Sequence, residues 1–346
     1  MDFLSPPAVI RALRDRVAHG VFGYAHASDE LVAAIRDNLQ ARCNWTIQPE
    51  WIVWLPGLVS GLNIVCRAFA EPGDDVLMAV PIYPPFLAAP TNSDRNGVTV
   101  PLAYNNGRWT FDFDRIESAI TPRTRVFLLC SPHNPIGRLW SREELTTLVE
   151  ICARHNITIC SDEVHSQLIL DEDKRHIPTA TLSADTADRT VTLCAPSKTY
   201  NFPGLHFGYA VISNAELRAR FKKAMAGIVP HINLFGLVAG LAAYREGHDW
   251  LEALLRYLRT NRDLVEQAIA GMPPLSMAHV EATYLAWIDA RRIGLDNPAK
   301  FFEQAGVGLA DGKEFAGPGF LRLTFGTPRA LLTKALQRMK TAMGNR

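Results

Sequence analysis

Short continuous apolar runs alternate along this chain with stretches whose apolar residues recur every three to four positions. The runs are Trp51–Leu55, Asp75–Val80, Arg125–Cys130, Asn156–Cys160, Thr190–Cys194 and Tyr209–Ile212. Each is too short for a core helix and too uniformly apolar for a strand with one wet face, so each is predicted to be a buried strand. The periodic stretches predict amphipathic helices. One carries Leu58, Leu62, Val65, Cys66 and Phe69, and another Leu145, Leu148, Val149 and Cys152. The second opens on Ser141-Arg-Glu-Glu144, a capping box, and Ser28 stands as the N-cap of a third, with Leu31, Ala34, Ile35 and Leu39. Residues 8–19 read as a short helix. Pro81–Phe86 reads as a proline-stiffened turn, and 97–119 as a short strand, a polar loop and the start of a helix.

Strands alternating with helices at intervals of about 30 residues predict a mostly parallel sheet covered on both faces. After Ile212 the pattern becomes long helices, over 214–225, 235–244 and 249–270. Strands near 282–288 and 320–325, with helices over 298–304 and 328–343, then predict a smaller α+β region. The expected fold class is α/β: a large α/β/α unit over 25–245, and a smaller unit built from 1–24 together with 246–346.

Composition narrows the function. With 346 residues, 48% of them hydrophobic, the chain can bury a large core. A formal charge of +1 and the lack of a basic stripe argue against a nucleic-acid partner. Six cysteines without a C-x-x-C pair point to a reducing compartment, and the expected location is the cytoplasm. No apolar run reaches transmembrane length and no signal-peptide pattern is present, so no membrane partner is expected. No metal is expected either.

The candidate chemistry lies where strands end. Asn134, Asp162 and Lys198 each follow the C-terminal end of a strand, the edge at which open α/β sheets bind ligands. Any one of them could be a turn residue; three in register are harder to dismiss. A lysine on such a turn with a depressed pKa can attack a carbonyl and form a Schiff base. The junction at Pro56-Gly57 suits a phosphate, and equally an ordinary strand-to-helix connection. Tyr83 could stack on a flat ring or simply pack.

The motifs Pro-Ile-Tyr-Pro-Pro-Phe, Ser-Pro-His-Asn-Pro-Ile-Gly, Ser-Asp-Glu-Val-His, Pro-Ser-Lys-Thr-Tyr-Asn and Phe-Leu-Arg-Leu-Thr-Phe-Gly occur here in that order. Together they resemble the fold-type-I pyridoxal-phosphate (PLP) enzymes of the class I/II aminotransferase superfamily, above all the MalY/PatB-type cystathionine β-lyase subgroup. The resemblance covers essentially the whole chain. It implies a PLP-transferase fold with a seven-stranded-type sheet, pyridoxal 5'-phosphate as cofactor, an amino-acid substrate and a homodimer. It assigns Lys198 as the cofactor-linked lysine, Asp162 to the pyridine nitrogen, Asn134 to the ring O3′ and Tyr83 to the ring face. It gives the phosphate to Gly57, Leu58 and Ser197, with Tyr24 reaching in from the neighbouring subunit, and the substrate carboxylate to Arg322.

His206 stands where many aminotransferases of the superfamily carry a phosphate-binding Arg, His165 where many carry a Tyr near O3′, and Ala195 where a Ser is frequent. The lyase subgroup shares the first two departures and carries a further segment, with a Trp-containing stretch, ahead of the part matching Met1–Phe3. The resemblance therefore implies a carbon–sulfur β-lyase acting on L-cystathionine or related L-cysteine S-conjugates. An aminotransferase is the alternative, and a PLP-fold regulatory protein with secondary catalysis stands for a different class. No G-x-G-x-x-G follows a strand, which disfavours a dehydrogenase.

Overall fold

A computed structural model describes residues 1–344. Nine strands precede the long helices: β1 (Ile52–Leu55), β2 (Asp75–Val80), β3 (Asn96–Pro101), β4 (Ala103–Asn105), β5 (Arg108–Thr110), β6 (Thr124–Cys130), β7 (Thr158–Asp162), β8 (Thr190–Cys194) and β9 (Gly208–Val211). Seven form one sheet in the order β1-β9-β8-β7-β6-β2-β3. From β8 to β3 every neighbouring pair is parallel, whereas β9 runs antiparallel to both β8 and β1. The reversal has a local cause: residues 195–207 hold only a single 3-10 turn, and a parallel return needs a crossover, usually a helix.

The pleat divides this sheet's side chains between two cores. Val76, Met78 and Val80 of β2 pack on one face with the helix Leu58–Phe69, and Leu77 and Ala79 pack on the other with the helix Arg142–Arg154. Both helices bury the predicted faces, and the predicted caps form: Ser141 and Glu144 make the reciprocal capping box, and the Ser28 hydroxyl accepts from Leu31 N–H. A second, antiparallel sheet holds β10 (Ser276–Met277), β11 (Leu285–Asp289), β12 (Ala310–Asp311) and β13 (Phe320–Thr324) in the order β10-β11-β13-β12. Its register sets Trp287 opposite Arg322.

Three local readings change. The expected polar loop contains the β4–β5 hairpin, turning on Asn106-Gly107 with both residues at positive φ. Asn-Gly supplies that backbone at low cost. The expected turn at 81–86 continues into a helix over Pro84–Thr91, because Pro at its first positions gives up only N–H groups that a helix start leaves unpaired. The strand expected from 282 begins at Leu285, since Thr283 adopts φ +76°. Among the described residues, no helix is long and apolar enough to cross a membrane.

Candidate active site

Strands β6, β7 and β8 are neighbours, so their C-terminal ends deliver three turns to one place. The first turn carries Asn134. His133 N–H donates to Arg138 O (2.8 Å) and Gly137 N–H to His133 O (2.9 Å), with Gly137 at φ +69°. Added to Gly137, a Cβ would lie 2.7 Å from Val280 Cγ1 and 3.1 Å from Ala282 O, so glycine is required on both counts. At the end of β7, Asp162 accepts from Val164 N–H through Oδ1 (3.1 Å), and its backbone carbonyl accepts from Ser131 N–H (3.0 Å). The third turn carries Lys198 and is closed by Tyr200 N–H to Pro196 O and Phe202 N–H to Ser197 O, both 2.9 Å.

A fourth contribution comes from the helix Leu58–Phe69. Gly57 caps it without a side-chain hydrogen bond, and among the described residues a Cβ there would meet no atom within 4 Å beyond its chain neighbours. The first residues of this helix, Leu58, Val59 and Ser60, border a cavity at the positive end of the helix dipole. From the smaller sheet comes Arg322, whose Nη1 donates to Asn134 Oδ1 (3.2 Å) and whose guanidinium lies 4.5 Å over the Phe315 ring. Its buried Nε has no hydrogen-bond partner among the described residues.

These parts enclose one cavity of about 740 Å³. Gly57, Leu58, Tyr83, Asn134, Asp162, His165, Ser197, Lys198 and Arg322 all line it, as do Ala195 and His206. Tyr24 does not: it is 98% exposed and meets the His231 ring edge-on. Tyr284 also lines the cavity and contacts the His165 ring edge-on, centroids 5.8 Å apart. In the sequence it abuts the apolar run Leu285–Ile288 and reads as one more strand residue.

Burial sets the electrostatics. It pushes the Asp162 carboxyl up to about 7, against the Val164 N–H and the Lys198 charge, which both favour the anion. It lowers Lys198, opposed by Asp162 and reinforced by Arg322. It also takes His165 down to about 3, helped by the Lys198 and Arg322 charges, so this imidazole is neutral at ordinary pH. A buried carboxylate thus stands ready for a cationic N–H, a lysine is biased toward its nucleophilic form, and an uncapped helix end offers N–H groups to an anion. The donor set fits pyridoxal 5'-phosphate, with its ring nitrogen, carbonyl and phosphate.

Comparison with known proteins agrees. The chain is 37% identical to cystathionine beta-lyase PatB of Bacillus subtilis (strain 168), over 99% of this chain and 90% of that one. Among solved structures, OvoB superimposes with a TM-score of 0.98 at 44% identity, covering 99% of this chain and 91% of that one. Cystalysin from Treponema denticola, a structure containing pyridoxal 5'-phosphate, gives a TM-score of 0.96 at 30% identity, covering 100% and 89%. The family model for aminotransferase class I and II matches residues 1–339, and to that family this chain belongs.

Proposed function

We propose that the chain is a PLP-dependent carbon–sulfur β-lyase that cleaves L-cystathionine or other L-cysteine S-conjugates to a thiol, pyruvate and ammonia. The observation that carries this reading is the convergence of Lys198, Asp162, Asn134 and Arg322 on one cavity, in a chain whose relatives include proteins named cystathionine beta-lyase. When bound, the cofactor supplies an electron-accepting ring that acidifies the Cα–H of a linked amino acid and permits loss of its β-substituent.

The rest falls to the chain's own residues. Asp162 would hold the proton on the ring nitrogen through a charge-assisted bond. Asn134 spends Oδ1 on Arg322, so its Nδ2 would be the group that donates to the ring hydroxyl oxygen. Leu58 N–H at the helix start, with Gly57 and the Ser197 hydroxyl, would hold the phosphate, and Tyr83 would pack on the ring. Arg322 grips the substrate carboxylate bidentately, as a lysine could not. Lys198 would take the Cα proton at Nζ and pass it to the departing sulfur. Water then converts the released enamine to pyruvate and ammonia. Returning the proton to carbon instead would make the aminotransferase.

We also propose a division into a large unit over 25–245 and a smaller one of 1–24 with 246–346, supported by the separation of the seven-stranded sheet from the four-stranded one. A homodimer gives the exposed Tyr24 a role, reaching the phosphate of the neighbouring site. Six free thiols, five of them buried, support a reducing compartment such as the cytoplasm. The cofactor reading is tested by absorbance: the protein shows a cofactor band that Lys198→Ala abolishes. An unchanged band in that variant would remove Lys198 from its role.

A further inference from the structure

Beneath the Asn134 turn lies an ion pair that the mechanism above does not use. The Arg138 side chain is 1% exposed, yet all five of its N–H donors are satisfied. Its Nε donates to Trp109 O (2.8 Å), Nη1 to Leu139 O (2.8 Å) and to Glu281, and Nη2 to both Glu144 oxygens (2.7 and 2.6 Å). Glu281 is 5% exposed and also accepts from Leu139 N–H (2.8 Å) and Lys174 Nζ (2.9 Å). The backbone repeats the connection, since Glu281 and Ala282 N–H both donate to Gly137 O at 3.0 Å.

This contact closes a ring through the structure. From Glu281 the chain passes Tyr284 at the cavity wall and enters β11, where Trp287 is opposite Arg322 of β13. Arg322 then returns to Asn134 through their hydrogen bond, and four residues beyond Asn134 stands Arg138. A buried ion pair is weak support for stability, because desolvation offsets its attraction; fixing a register is the use that compensates. We propose that Arg138 and Glu281 are positioning residues that lock the Asn134 turn to the segment feeding β11, and so fix Arg322 for the substrate carboxylate. The inference rests on the carboxylate role of Arg322 proposed above.

The test is binding to the holoenzyme of 3-(methylthio)propanoate, a thioether carboxylate with no α-amine to react, and of its carboxamide, by calorimetry. Glu281→Gln keeps the shape and removes the charge. The expected result is a Kd for the carboxylate about tenfold higher, with the carboxamide and the cofactor absorbance unchanged. In turnover, KM rises similarly while kcat stays within about twofold. An unchanged carboxylate Kd, or equal weakening of both ligands, overturns the proposal. Lys174→Gln, whose side chain is 35% exposed, removes one Glu281 contact with less risk to folding and weakens the carboxylate about threefold. No effect there also overturns it, even if Glu281→Gln fails to fold. Arg322→Gln separates the two readings: if it leaves the preference for carboxylate over carboxamide intact, the role of Arg322 fails first.

Discussion

Burial acts in opposite directions on Asp162 and Lys198, raising the carboxyl and lowering the amine. For Asp162 the rise from 3.8 to about 7 corresponds to about 4 kcal/mol against its charged form, before a cation faces it. The cofactor-free protein should register this. Between those two values the folded chain keeps a proton that the unfolded chain has lost, so the contribution of Asp162 to stability is present below pH 3.8 and is lost as pH rises toward about 7. Asp162→Asn removes that slope. The Tm of the cofactor-free variant minus that of the parent therefore grows between about pH 4 and pH 7 and levels off above that. With cofactor, kcat of the variant falls about 100-fold or more, because the ring nitrogen loses its anionic partner. A pH-independent Tm difference, or full activity, would contradict the assignment. At this scale the convergence was legible: a polar residue follows each of three apolar strands at its C-terminal end, and Asn134, Asp162 and Lys198 line one cavity. Tyr284 and Glu281 escaped because they lie near an apolar run in the smaller sheet, where their contacts come from elements more than 100 residues away in sequence.

Elements were legible in proportion to how far local chemistry decides them. The buried strands and the capped helices follow from periodicity and hydrogen-bonding side chains, and they form where expected. The β4–β5 hairpin was overlooked although Asn106-Gly107 signals it, because strands of three residues give almost no alternation to count. The helix at Pro84–Thr91 was hidden by its prolines, two of which occupy its first positions. Pairing direction is a different matter. Nothing within β9 itself marks it as antiparallel; the length of the 195–207 connection does, and that requires knowing which strands are neighbours.

At the scale of the whole molecule, the cavity draws on both sheets, and the exposed residues Val17, Val21, Phe22 and Tyr24 cluster in one short stretch. In the proposed dimer Tyr24 serves the partner's site. Mixing Tyr24→Phe with Lys198→Ala subunits then creates hybrids in which one site holds both native residues. Each variant alone is impaired, and the random mixture recovers about one quarter of full activity. No recovery would place Tyr24 in its own subunit's site or outside any. The most direct measurement is the stoichiometry of products from L-cystathionine with no keto acid added. The account predicts thiol and pyruvate released in equal amounts by the holoenzyme and neither by Lys198→Ala. Turnover that strictly requires a keto acid, with no thiol released, would contradict it and assign the same site to transamination.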